Sequence, residues 1–216
     1  MNDVMIQDLS ADDVPSLNAV KPDDWGSIAE IHAHYLRTTC RKCIKVVNGQ
    51  REILGIGTGI VFDRTGWLAH IIVSKEHQHQ GLGTLIVQDR VGLMLERYRC
   101  STITLTATDQ GYPLYKKLGF REESLYIIMM RTRDLAAPPG SCAGIGKATL
   151  KDADRMLEID RIASGERRDQ LLRPLLDNAY VYRSNGSVQG FYLPQFGDGG
   201  VAAVTEEAGI ALLRER

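Results

Sequence analysis

Between the apolar run Ile71-Ile72-Val73 and a helical pattern lies Gln78-His79-Gln80-Gly81-Leu82-Gly83-Thr84, whose glycines and polar side chains suit a polyanion. The first turn of a helix leaves about four backbone N–H groups unpaired and carries about half a positive charge, and glycine lets the main chain approach phosphate oxygens closely. Tight packing of loop on helix is the other use of such glycines. Two nucleotide motifs compete for them and fail. Gly81 to Ile86 puts isoleucine where a Rossmann fingerprint needs its third glycine, and Gly55-Ile56-Gly57-Thr58-Gly59 falls inside a strand pattern. Ser141 to Ala148 matches a P-loop only at Gly146-Lys147, with serine in place of the first glycine and alanine in place of the magnesium-binding hydroxyl.

No metal is expected. Cys40 and Cys43 supply two thiols where tetrahedral zinc needs four ligands, and His32 and His34, two apart on a helix, point in different directions. The cysteines read as ordinary thiols at a helix-to-strand junction, and His77 and His79 as residues of a solvated loop. The dense mixed charges from Glu158 to Asp169 read as solvated helix faces.

These residues need elements to hold them. Met5 to Leu9 reads as a strand, Ser10 as the N-cap of a helix, and Trp25, Ile28, Ile31, His32 and Tyr35 as one face of a second helix. Cys43 to Val47 and Ile53 to Phe62 form a hairpin about Asn48-Gly49, a pair that tolerates the positive φ of a tight turn. Trp67 to Ser74 is apolar on both sides, with Leu68, His70 and Ile72 on one face and Trp67, Ala69, Ile71 and Val73 on the other, and is therefore expected to be central. A helix from Gly81 to Arg97 buries Leu82, Leu85, Ile86 and Leu93; Thr102 to Thr106 is a strand, Tyr112 to Leu118 a short helix, and Glu122 to Arg131 a last strand. The alternation implies an α/β fold with a mixed, mostly antiparallel central sheet flanked by helices.

Residues 135–144, rich in proline, glycine and alanine, have no hydrophobic period and mark a linker between domains at 1–134 and 145–216. Beyond it the order restarts. A short apolar piece and helices near Lys151 to Ala153 and Arg167 to Leu176 lead to a hairpin from Tyr180 to Tyr192 about Asn185-Gly186, and Gly200 to Ala203 echoes Gly66 to Ala69. An imperfect internal duplication follows, with two similar hairpins arising by chance as the alternative. The second copy stops after a helix from Thr205 to Arg216. Thr205-Glu206-Glu207-Ala208-Gly209 stands in place of the phosphate loop, where its carboxylates would repel pyrophosphate. A half-built sheet leaves an open edge, which the rest of a longer chain or a partner, a second copy included, would cover.

The combination of Gln78-x-x-Gly81-x-Gly83 after strand Trp67 to Val73 with Gly111-Tyr112-Pro113-Leu114-Tyr115-Lys116-Lys117-Leu118-Gly119-Phe120 resembles the GNAT superfamily of N-acetyltransferases over residues 1–134. The resemblance implies acetyl-CoA as cosubstrate. Backbone groups of Ile71, Ile72 and Val73 would meet its acetyl and pantetheine part, and Gln78, His79, Gln80, Gly81, Leu82, Gly83 and Thr84 would wrap its pyrophosphate. Tyr115 matches a position where many relatives keep the tyrosine that protonates the departing thiolate, and His70, beside the implied acyl site, is the candidate base. The chain departs from the pattern at Gln78, where many relatives have arginine, and at Ala107-Thr108-Asp109, where many have an asparagine. The implied reaction is direct acetyl transfer to the primary amine of a small molecule or peptide; a non-catalytic module that binds acyl-CoA is the alternative.

A formal net charge of -1 offers no general attraction to nucleic acid or acidic membranes, and 44% hydrophobic with 25% charged residues is the composition of an ordinary globular chain. No apolar run is long enough to span a membrane and the acidic N-terminus is unlike a secretory signal, so a cytoplasmic location is expected.

Overall fold

A computed structural model describes residues 4–23, 25–127, 143–197 and 199–215. The chain divides into two compact units, Met1–Ile127 and Ile128–Arg216. The proposed linker falls at 135–144, of which 135–142 lie outside the described residues.

The first unit is built on a five-stranded sheet in the order β1-β2-β3-β4-β5, from strands Met5–Asp8, Arg41–Val47, Ile53–Phe62, Thr65–Val73 and Thr102–Thr104. Strands β1 to β4 pair antiparallel with one another in sequence order, and β5 is parallel to β4. A 3-10 helix at Ala11–Ala19 and helix α1, Ile28–Tyr35, cover one face with Leu17, Val20 and Ile28 against Cys43, Ile56 and Ile72. Helix α2, Leu82–Gly92, covers the other, where Leu82 and Ile86 pack on Ile44, Val46 and Leu54. Arg90 is buried on that helix, donating to the Lys42 carbonyl at 3.2 Å and pairing with Asp89. The short helix α3, Tyr112–Lys117, ends at Gly119, whose φ of 90° suits a glycine after a helix.

Several expectations shift. In the β2–β3 turn it is Arg51, not Gly49, that takes positive φ, at 65°, because Asn48 Oδ1 instead accepts from the N–H groups of Gln50 and Glu52 at 3.0 and 2.9 Å. Ile31 is exposed. A π-helical turn at Leu93–Arg97 delays the rotation of the chain, so Met94 rather than Leu93 is buried. Residues 122–127 are not in a strand, and Leu125, Tyr126 and Ile127 are exposed; the remainder of that expected strand, 128–131, lies outside the described residues.

In the second unit, strands β6 (Ile145–Lys147), β7 (Tyr180–Ser184), β8 (Ser187–Leu193) and β9 (Gly200–Ala203) form an antiparallel sheet in that order. Helices α4 (Ala153–Ser164) and α5 (Asp169–Leu172) precede the hairpin, and α6 (Glu206–Glu215) follows it. Here Asn185 and Gly186 both take positive φ, 51° and 74°, as a two-residue hairpin turn of the mirror-image type requires. The charged stretch is less solvated than its composition suggests: Asp160 is 2% exposed and accepts Arg168 at 2.5 Å.

The two units repeat small details as well as order. Each hairpin has a bulge after its turn, at Leu54 and at Gln189, and each bulged carbonyl accepts an N–H just beyond the fourth strand of its unit, from Ser74 at 2.9 Å and from Val204 at 2.8 Å. Each first helix is opened by a reciprocal cap, Ser10 with Asp13 and Thr149 with Asp152. Each capping carboxylate reaches a cation on the second strand, Lys45 and Arg183, both at 2.6 Å.

A methyl group on Gly57 would stand 2.2 Å from Ile86 Cγ2, which is itself fully buried. Gly57→Ala is therefore expected to lower the folding free energy by about 1–3 kcal/mol. Gly49→Ala, where nothing lies within 4 Å, should stay within about 0.5 kcal/mol of wild type. Urea unfolding followed by tryptophan fluorescence reads both.

Candidate active site

The site begins with an extra residue in β4. Ile56 pairs with Ile72 and Thr58 with Ala69, so two residues of β4, His70 and Ile71, oppose the single Gly57. His70 takes the left-handed conformation at φ 49°. The bulge breaks the period of two: Leu68 joins Val87 and Met94 on the α2 face, Ile72 joins Ile28 on the α1 face, and Ile71 packs on the α2 side. The expected sharing of one face by Leu68, His70 and Ile72 is thus corrected.

A second irregularity lies at the edge. β4 pairs with β5 only through Thr65, Gly66 and Trp67. From Leu68 to Val73 the side of β4 toward β5 has no ladder partner among the described residues, which leaves main-chain groups open. The strand then enters the loop. Ser74 Oγ and His77 Nδ1 are 2.9 Å apart, so His77 is tied down rather than free, whereas His79 is exposed with φ 60°. Gln78 Nε2 donates to the Val73 carbonyl at 3.1 Å, and Gln110, ahead of α3, donates to Gln78 Oε1 at 3.1 Å. Gln110 went unrecognised in the sequence although it directly precedes the Gly111-Tyr112 motif.

Gly81 caps α2 at φ 86°, with no side chain bonded to the helix end. The Leu85 N–H reaches the Gly81 carbonyl at 3.0 Å, while those of Leu82, Gly83 and Thr84 have no partner among the described residues. α3 sits on this turn: a Cβ on Gly83 would lie 3.2 Å from Leu114 Cδ2. Tyr115, edge-on to Phe120 at 5.9 Å between centroids, packs with the cluster of Leu68 and Val87, and burial raises its phenol above the usual pKa of 10.0.

His70 lies among rings that sequence reasoning did not assemble: His32 at 5.1 Å, Tyr35 at 5.4 Å and Trp25 at 6.1 Å between centroids. Burial first, and then the nearby His32 and Arg41, push its imidazole down to about 4. Its Nδ1 is buried without a hydrogen bond. His32 is fully buried, with Nδ1 2.8 Å from the Ile28 carbonyl. His70 and Tyr115 thus belong to opposite sides of β4, and no described contact joins them. Cys40 and Cys43 are free and buried, and no group of metal-ligating side chains occurs among the described residues.

The family profile of the acetyltransferase (GNAT) domain matches residues 41–122, which run from β2 through α3. In structure the chain is similar to a candidate acetyltransferase of Pyrococcus horikoshii, at 21% identity and TM-score 0.73, over 98% of this chain and 75% of that one. It is also similar to a transcriptional regulator of Bacillus halodurans, at 19% identity and TM-score 0.52, and to an acetyltransferase of Trypanosoma brucei, at 18% and 0.50. Each of these two alignments covers 60% of this chain and all of the other. No curated protein matches the sequence. No helix among the described residues is long and apolar enough to cross a membrane.

The depressed pKa of His70 links to stability. Between pH 6.5, the ordinary value, and about 4, the unfolded chain binds a proton here that the folded chain does not, so stability falls as pH falls through that window. His70→Asn, which tolerates the left-handed backbone, should flatten the decline in Tm between pH 6.5 and 4.5. An unchanged slope would assign the decline to other groups, His32 first.

Proposed function

We propose that the first unit moves an acetyl group from acetyl-CoA to a primary amine of a small molecule or peptide, by direct transfer within one complex. The observation that carries this reading is the unpaired edge of β4 from Leu68 to Val73 leading straight into a helix start with three unpartnered N–H groups. An extended amide-bearing chain can add to such an edge as a strand would, while a pyrophosphate suits the open N–H groups of Leu82, Gly83 and Thr84. Ile71, Ile72 and Val73 would hold the acetyl and pantetheine part, and Gln78 to Thr84 the phosphates, with Gln78 giving a neutral contact in place of a charged one.

The amine nitrogen attacks the thioester carbonyl, the C–N bond forms, and the C–S bond breaks with the electron pair leaving on sulfur. Tyr115 gives its proton to that thiolate. A phenol of pKa about 10 facing a thiol of about 8.5 transfers a proton uphill, so position rather than acidity is its contribution. His70, neutral at pH 7, takes at Nδ1 the proton that the amine nitrogen loses as the C–N bond forms and passes it to solvent, from which Tyr115 regains its own. The incoming nitrogen and the departing sulfur lie on different sides of the acyl carbon, which suits a base on the α1 side of β4 and an acid on the α2 side. Holding amine and thioester together supplies much of the rate.

We infer further that the second unit is a diverged copy that binds no cofactor, since Glu206 and Glu207 stand in the first turn of α6 and Tyr182 donates to Glu207 at 2.7 Å. Carboxylates there repel phosphate.

Gly81→Asp and Gly81→Asn are nearly isosteric and both tolerate the left-handed cap. Calorimetric titration with acetyl-CoA should give an affinity at least about tenfold weaker for the aspartate variant than for the asparagine variant, through charge alone. Equal affinities would move the phosphates elsewhere. Tyr115→Phe should cut kcat by about 10² or more with little change in acetyl-CoA affinity. Binding by wild type without turnover on any amine would favour the non-catalytic acyl-CoA module.

A further inference from the structure

On the α1 side of β4 the ring cluster is closed off by a cation whose better edge is unused. Arg41, at the start of β2, lays its guanidinium over Tyr35, 4.3 Å from the ring centroid, and Tyr35 in turn touches His70. Its Nη1 donates to Thr38 Oγ1 at 3.2 Å. Its Nε is buried with no hydrogen bond, and Nη2 makes none among the described residues, nor does Arg41 form an ion pair with any described carboxylate. The Nε–Nη2 pair is one of the parallel donor forks that match a carboxylate, and a sheltered arginine without counter-charge costs free energy that an anion would offset. Two buried polar atoms without partners, Arg41 Nε and His70 Nδ1, therefore flank one aromatic ring.

We propose that the acceptor is an amine that also bears a carboxylate, the carboxylate seated on the Nε–Nη2 edge of Arg41 and the amine directed to His70 Nδ1, with Tyr35 between them. This rests on the acetyltransferase reading for the chemistry, but not for the anion site. Arg41 is a specificity residue that touches the acceptor at a distance from the reacting atoms. Its surroundings agree in sign: Arg37, just beyond α1, adds positive charge, and burial, then Arg41 and Arg37, hold the His34 imidazole below its ordinary value, which favours its neutral form.

The test uses the full chain and 5-aminopentanoate, with pentylamine and 4-aminobutylphosphonate as comparators of similar length. In ¹H–¹⁵N spectra, 5-aminopentanoate should shift the Arg41 Nε–H resonance, assigned from its loss in Arg41→Gln, and pentylamine should not. In acetyl transfer, kcat/KM for 5-aminopentanoate should exceed that for pentylamine by about 10- to 100-fold, the worth of a charged hydrogen-bonded pair. Arg41→Gln should abolish that preference and Arg41→Lys, which keeps the charge but loses the fork, should restore only part of it. A resonance moved by the phosphonate and not by the carboxylate, or a preference unchanged in Arg41→Gln, overturns the proposal. A shifted resonance with no transfer to any amine leaves the anion site standing and rejects the acetyltransferase reading.

Discussion

One extra residue in β4 governs the first unit. Because His70 and Ile71 together face Gly57, the strand turns its side chains over midway, beyond the point at Trp67 where its pairing with β5 ends. The same rotation delivers His70 to the aromatic cluster and Ile71 to Ile86. Gly57 is the complement of that arrangement, since a side chain there would occupy the space of Ile86. The ring cluster and the packing of Ile71 on Ile86 both follow from a single local event.

The parts of this fold with a strong local code were legible in the sequence. The loop from Gln78 to Thr84 announced itself because glycine, polar residues and a helical period meet there, and the second hairpin because Asn185-Gly186 admits few conformations. The bulge left no such trace: β4 is apolar on both sides, so a slip in its alternation changes no residue type. The π-helical turn that buries Met94 was equally silent, as Leu93, Met94 and Leu95 are all apolar and any of them could face the core. Arg41 and Tyr35 reach His70 from separate elements, a juxtaposition that spacing along the chain does not encode. The expected strand at Glu122 to Arg131 was read from composition, and its described part, 122–127, has no ladder.

The second unit has a similar strand order without the irregularity of β4. β9 pairs with β8 in unbroken register, its following turn has carboxylates in place of glycines, and the helix start is answered from within the unit by Thr205, whose Oγ accepts the Ala208 N–H at 3.3 Å. The second unit forms its sheet and helices with no bulge in β9 and no glycine pair between β9 and α6, so neither feature is needed to build this arrangement of strands and helices.

The twin caps carry a further consequence. Burial pushes the carboxyls of Asp13 and Asp152 up, but bonds from Lys45 and Ser10 to the first, and from Thr149 and Arg183 to the second, outweigh it and hold both below the ordinary 3.8. Stability from each is present above that value and lost as pH drops below it. Two units that differ in their loops thus share the same acid fuse, wired to the same seam between first helix and second strand. Acidification below the ordinary carboxyl value would release both seams, an outcome that amide exchange at Ser10 and Thr149 reads separately for each half.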